Sequence, residues 1–128
     1  MFNHVMVGAK DIDASKRFYD VILGVLGIAP GVRDSAVRCR YHGSGGVFMI
    51  KMPIDGKPAT NGNGSTIGFA AQDTAEVDAW HAAGIANGGT TCEDPPGMRD
   101  SGVYLAYLRD PAGNKICAAY RKRVGTSN

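Results

Sequence analysis

The sequence predicts an α+β fold built from two successive modules, each a strand followed by a helix and then two or three strands. Three observations carry that expectation. A shift of 62 residues lays Phe2-Asn3-His4-Val5-Met6-Val7 on Gly64-Ser65-Thr66-Ile67-Gly68-Phe69 without a gap, and it also puts Asp11 on Asp73, Phe18 on Trp80, Leu23 on Ile85 and Gly27 on Gly89. A repeat of this kind sets the architecture before any single motif is weighed. Each repeat then passes from a β-prone stretch into an amphipathic helix, and glycine-rich turns separate the β-prone runs that follow.

Taken in chain order, the first strand covers the residues around His4 to Val7, and Asp11 starts the first helix as an acidic cap. That helix carries Ala14, Phe18, Val21 and Ile22 at helical spacing, an apolar stripe for one face of a sheet, and Gly27 ends it. Val37 to Tyr41 and Val47 to Met52 form a hairpin around His42-Gly43-Ser44-Gly45-Gly46. Its loop has four or five residues, and one residue of slip exchanges Arg38 and Arg40 for Cys39 on the open face, so this register stays open. Asp55 to Gly64, rich in Gly, Pro and Asn, joins the modules, which occupy about 1–54 and 63–120. The second module repeats the plan. Asp73 caps its helix with Glu76 in a capping-box pattern, Val77, Trp80 and Ala83 form the stripe, and Gly88-Gly89 ends it. Val103 to Leu108 and Lys115 to Tyr120 make the last hairpin around Asp110-Pro111-Ala112-Gly113-Asn114, and 121–128 reads as a flexible basic tail.

Composition bounds the function. With 128 residues, 44% hydrophobic and 20% charged, the chain suits one globular domain of 1–120 with a real core. Fourteen basic against twelve acidic residues, a net of +2, is too balanced for a nucleic-acid binder. No apolar run approaches a membrane span, and polar Asn3 and His4 stand where a signal peptide has its apolar stretch, so a cytoplasmic protein with no membrane partner is expected. Cys39, Cys92 and Cys117 have no paired spacing and read as reduced thiols.

Side chains two apart on a strand share a face. In the last strand Ile116, Ala118 and Tyr120 face one way and Lys115, Cys117 and Ala119 the other. A five-residue loop over Asp110 to Asn114 pairs Arg109 with Lys115 and sets Tyr107 opposite Cys117. Val5, Val7, Ile67 and Phe69 go beneath the helices, with Phe48, Ile50 and Met52. His4, Met6, Thr66, Gly68, Val47, Met49 and Lys51 go to the open face.

Two such modules in this length, the Asp-x-x-x-Ser-x-x-Phe-Tyr pattern of Asp11, Ser15, Phe18 and Tyr19, and the terminal Asp110-Pro111-Ala112-Gly113-Asn114-Lys115 resemble the vicinal oxygen chelate superfamily over residues 2 to 120. That group includes glyoxalase I, bleomycin-resistance proteins, fosfomycin-resistance enzymes and extradiol dioxygenases. The resemblance implies a curved, mostly antiparallel eight-stranded sheet with helices outside, a cavity inside, and a homodimer. In metal-using members one side chain from the first and one from the last strand of each module bind a divalent ion. Those positions here are His4, Met49, Thr66 and Cys117.

A hard divalent ion prefers imidazole or carboxylate, and His4 alone supplies one. The chain's two glutamates, Glu76 and Glu93, sit in a helix cap and a loop, so no tightly bound metal is expected. His4, Met49 and Cys117 could instead hold a softer ion, with water on Thr66. Without metal, His4, Met49, Thr66, Tyr107 and Cys117 are read as substrate-binding walls of a cavity. Tyr107 offers a ring and a hydroxyl, and His4 and Cys117 are the catalytic candidates by the logic of a thiol beside a base. Cys39 between two arginines lacks a base, and His42 and His81 read as turn and helix-surface residues. Arg99, in the loop from Glu93 to Asp100, reads as solvated or as a contact for an anion. The expected function is binding of a small organic molecule between the modules. The alternative is a metal-dependent lyase, isomerase or dioxygenase with a degenerate metal site. A protein-interaction module is less favoured, because glycines and mixed side chains on the open face suggest a hollow.

Overall fold

The structure, a computed structural model, describes residues 1–122. Asp11 accepts hydrogen bonds from the Asp13 and Ala14 amides, and this cap follows strand β1 (His4–Gly8) and opens helix α1 (Ile12–Val25). Gly27, at φ +85°, closes the helix in a Schellman motif: its amide donates to Gly24 O and the Ile28 amide to Leu23 O. Strands β2 (Val32–Ser35), β3 (Arg38–Gly43) and β4 (Gly46–Lys51) complete the first module.

The second module runs β5 (Ile67–Ala70), α2 (Thr74–Ala86), the two-residue strands β6 (Thr90–Thr91) and β7 (Gly97–Met98), then β8 (Tyr104–Arg109) and β9 (Lys115–Tyr120). Its capping box is displaced by one residue. Asp73 accepts from the Glu76 amide, while the Glu76 carboxylate accepts from the amide of Gln72. Of the tail expected at 121–128, residues 123–128 lie outside the described residues; Arg121 donates to Ser101 O.

Each module forms one mixed sheet, ordered β1-β4-β3-β2 and β5-β9-β8-β6, with β7 also on β8. The pairs β1 with β4 and β5 with β9 are parallel, and the others are antiparallel. This is the expected α+β fold of two modules, with nine strands in two open mixed sheets and four strands, two of them only two residues long, after α2; among the described residues β1 and β5 each keep one edge unpaired. The open hairpin register is settled by a two-residue loop, Ser44-Gly45, which pairs Gly43 with Gly46, Arg40 with Met49 and Arg38 with Lys51. Cys39 and Tyr41 therefore turn to the helix side and are buried, and Arg38 and Arg40 share the open face with Met49 and Lys51. The last hairpin pairs Tyr107 with Cys117 and Arg109 with Lys115, as the loop length requires.

One core serves both modules. Helices α1 and α2 pack on each other, and an aromatic chain crosses the junction, with Tyr19 to Phe48 centroids at 4.8 Å and Phe48 to Phe69 at 5.2 Å. Because α1 is covered by sheet and by α2, its buried face is broader than one stripe and rotated from the expected one. Ile12, Ser15, Phe18, Tyr19, Ile22 and Leu23 are buried, while Val21 is exposed. On α2, Val77, Trp80 and Gly84 are buried, and Ala83 packs against them from a half-buried position.

Candidate functional site

The turn that ends β8 positions everything else. Asp110 is buried with its carboxylate fully engaged: Oδ1 accepts from the amides of Ala112 and Asn114, and Oδ2 from Asn114 Nδ2 at 2.9 Å and from the Tyr19 hydroxyl at 2.6 Å. A buried carboxylate is tolerated when donors surround it in this way. Tyr19 lies on α1, so this bond ties the first module to the second. Burial first, and then the Asp110 charge, raise the Tyr19 hydroxyl well above its ordinary pKa, which keeps it a donor. Asn114 Nδ2 also donates to Gly8 O at 2.8 Å, fixing the end of β1. Beside it, Ala59 of the linker is buried so close to Gly8 that a Cβ there would stand 2.8 Å from the Ala59 Cβ. Phe-Tyr and Asp-Pro-Ala-Gly-Asn, read separately in the sequence, are thus two halves of one joint.

The joint leaves a cleft of about 460 Å³ between the two free edges. One wall is β1 and the β3–β4 hairpin, with His4, Val5 and Val47; the other is β5 and the start of α2, with Ile67, Phe69, Gln72 and Glu76. Phe48 and Phe69, nearly perpendicular, form its apolar lining. Val5, expected beneath a helix, faces this cleft and is partly exposed, and Val7 packs on the core. Glu76 was legible only as a cap residue and Gln72 carried no signal in the sequence; their place at the cleft follows from how the modules meet.

Of the five residues singled out from the sequence, His4 lines this cleft and Met49, Thr66, Tyr107 and Cys117 do not. His4 Nδ1 lies 2.9 Å from Asn3 Oδ1. Met49 pairs with Met6 and Arg40 on the open face of the first sheet, and Thr66 is exposed just before β5. Tyr107 and Cys117 are cross-strand neighbours on the second sheet, where Gly68 stands beside Cys117. Burial pushes the Cys117 thiol above its ordinary range; Lys115 opposes the shift and Cys92 adds to it. A thiol held protonated is a poor nucleophile. The Tyr107 ring carries Lys115 Nζ at 4.9 Å and the Arg99 guanidinium at 5.9 Å from its centroid. Arg99 is half-buried and held by its own loop: it donates to the carbonyls of Asp94, Pro95 and Gly97. Lys115 pairs with Glu93.

In metal-using members of the superfamily that the sequence resembles, a divalent ion sits at the positions of His4, Met49, Thr66 and Cys117, and the donors here do not suit one. Among the described residues no three His, Cys, Asp or Glu side chains stand together as a set that could hold an ion. One imidazole, a thioether, a hydroxyl and a thiol kept protonated by burial do not fit a hard divalent ion. Among the described residues no helix is long and apolar enough to cross a membrane.

Comparison with known proteins agrees with this architecture. The crystal structure of a glyoxalase/bleomycin resistance protein from Albidiferax ferrireducens is 63% identical, covers 95% of this chain and 99% of that one, and superposes with a TM-score of 0.91. A glyoxalase-related enzyme from Fulvimarina pelagi (22% identity, 94% and 88% covered, TM-score 0.78) and lactoylglutathione lyase from Agrobacterium tumefaciens (21%, 98% and 96%, 0.69) share the fold. No curated protein matches the sequence. Residues 1–118 match the model of the Glyoxalase family, described as Glyoxalase/Bleomycin resistance protein/Dioxygenase superfamily. The chain, with its two modules joined through Tyr19 and Asp110, therefore belongs to the glyoxalase/bleomycin resistance protein/dioxygenase superfamily.

Proposed function

We propose that the protein binds a small organic molecule in the cleft between its two modules, in the cytoplasm and without a tightly held metal. The observation that carries this reading is the cleft itself. Its volume lies within the range of small-molecule sites, and its lining is mostly apolar and aromatic, with polar groups that include His4, Ser44, Gln72 and Glu76. The ligand that fits has an apolar body for Phe48 and Phe69 and a hydrogen-bond donor for the Glu76 carboxylate. Such a protein acts by sequestration, which needs complementarity to the ligand itself and no reacting group. We also propose a homodimer. The free edges of β1 and β5 and the exposed Phe2, Val5 and Met6 are the surface that a second copy would cover.

The test is a thermal-shift screen of neutral and cationic aromatic compounds, repeated on Ala70→Trp, which fills the cleft from an exposed strand position, and on His4→Ala. Compounds that raise the melting temperature of the wild type should lose their effect in Ala70→Trp and keep it in the presence of chelator. Shifts that survive the tryptophan overturn the cleft, and stoichiometric manganese, nickel, zinc or iron in gently purified protein overturns the metal-free part. Light scattering that shows a single-chain mass at micromolar concentration overturns the dimer.

A further inference from the structure

We infer that Asn63, in the exposed turn of the linker between the modules, is a site of spontaneous covalent modification, cyclising onto Gly64 to leave aspartate or isoaspartate, while the fold shields the chain's other Asn-Gly pairs. Those pairs are Asn61-Gly62 and Asn87-Gly88. Asparagine followed by glycine is the reactive arrangement, because glycine has no Cβ to screen its amide nitrogen or to limit the backbone angles that bring it to the side-chain carbon. The Gly64 nitrogen, its proton taken by hydroxide or a general base, attacks Asn63 Cγ. The bond from Cγ to Nδ2 breaks and ammonia leaves. Water then opens the five-membered imide at either carbonyl, giving aspartate, or isoaspartate with the main chain routed through Cβ. The net change is asparagine and water to ammonia and an acid, with no oxidant, reductant or cofactor.

Three identical dipeptides thus differ in what the fold does to them. Asn87 is the C-cap of α2, and its Nδ2 donates to Ala83 O at 2.7 Å, which folds the side chain back along the helix and away from the Gly88 nitrogen. Attack there must first break this bond at the helix end. Asn61 lies against the Asp110–Asn114 turn: a Cβ built on Gly113 would stand 3.1 Å from its Oδ1 and 3.6 Å from its Cγ, the atom to be attacked. Ala59, two residues earlier, is buried against Gly8, so this end of the linker is fixed to the joint between the modules.

Asn63 has neither restraint. Residues 60–66 are exposed, and from Asn61 to Ser65 the one hydrogen bond among the described residues is that of Ser65 Oγ to Gly62 O at 3.2 Å. Gly64, at φ +94°, has nothing within 4 Å of a built Cβ, so water and base reach its flank. The product's extra backbone atom and its carboxylate, which lowers the net charge of +2 by one, fall in this turn, between the Ala59–Asn61 anchor and β5.

The experiment ages the full chain at physiological temperature and at two pH values above neutrality. Peptide mapping by mass spectrometry follows all three sites, and methyl transfer by an isoaspartyl carboxyl methyltransferase reports isoaspartate. Asn63 should convert within about threefold of its rate in the free peptide of residues 59–67, and faster at the higher pH. Asn61 and Asn87 should convert at least about tenfold more slowly, the factor that one hydrogen bond or a packed side chain provides. In urea above the unfolding midpoint the three rates should converge. Asn63→Ser should remove most of the conversion of the folded chain, and the aged protein should melt within about 4 °C of the fresh one. Conversion of Asn61 or Asn87 as fast as Asn63 in the folded chain, or an intact Asn63 where the peptide reacts, would overturn the site. Rates that stay unequal in urea would trace the ranking to neighbouring sequence and overturn the shielding, and a larger fall in melting temperature would overturn the turn's independence of the core.

Discussion

Replacing Tyr19 by Phe should show how firmly one hydrogen bond holds the two modules together. The phenol is fully buried and its hydroxyl donates to Asp110 Oδ2 at 2.6 Å, across 91 residues of sequence. The substitution keeps the ring and its contacts with Phe18 and Phe48 and removes one hydrogen bond to a charged acceptor, which is worth about 1.5–3 kcal/mol. The Asp110 carboxylate keeps its three other donors, so the loss should stay in that range and not grow into the cost of an unsatisfied buried charge. For a chain of this size that lowers the melting temperature by about 5–15 °C. Asp110→Ala removes the acceptor for four donors at once and should cost more, about 4 kcal/mol or above. Urea unfolding followed by circular dichroism measures both, and a double-mutant cycle of Tyr19→Phe with Asp110→Asn should return a coupling of more than 1 kcal/mol. A Tyr19→Phe protein within about 0.5 kcal/mol of wild type, or an additive cycle, would refute the joint as a source of stability.

Two further predictions separate packing and protonation effects. Gly24 on α1 has nothing within 4 Å of a built Cβ, so Gly24→Ala should stabilise by about 0.5–1 kcal/mol. On α2 a Cβ at Gly84 would stand 2.2 Å from Leu108 Cδ1, so Gly84→Ala should destabilise by about 1–3 kcal/mol despite the better helix former; urea midpoints decide both signs. Tyr19 and Tyr41 both have pKa values raised in the fold, chiefly by burial, so their stability contribution is intact below the ordinary tyrosine value of 10.0 and is lost as pH rises above it. Urea midpoints between pH 9 and 11 should therefore fall, and Tyr19→Phe should fall less steeply, by up to about 1.4 kcal/mol per pH unit.

What the sequence made legible was whatever is encoded locally. Asp11, Asp73 and Gly27 announce helix ends because a cap is a contact between near neighbours. The Tyr107 and Cys117 pairing could be read because the Asp-Pro-Ala-Gly-Asn turn has a definite length. The Gly43-Ser44-Gly45-Gly46 run has no such mark. Several turns suit it, and only the burial of Cys39 and Tyr41 against α1 selects the two-residue loop. Strands β2, β6 and β7 escaped as separate elements because they are short and mostly exposed, with no alternation to find.

The cleft was hidden for a different reason: its walls belong to separate modules, and their mutual placement depends on Tyr19 meeting Asp110. The charged face of the first sheet combines both problems. Arg38, Arg40 and Lys51 are scattered cations until the register is known, and only then do two of them stand opposed. One aspartate, Asp34, serves both arginines and Lys51 has no ion-pair partner among the described residues, a balance of charge that the strand register reveals and the order of residues alone does not.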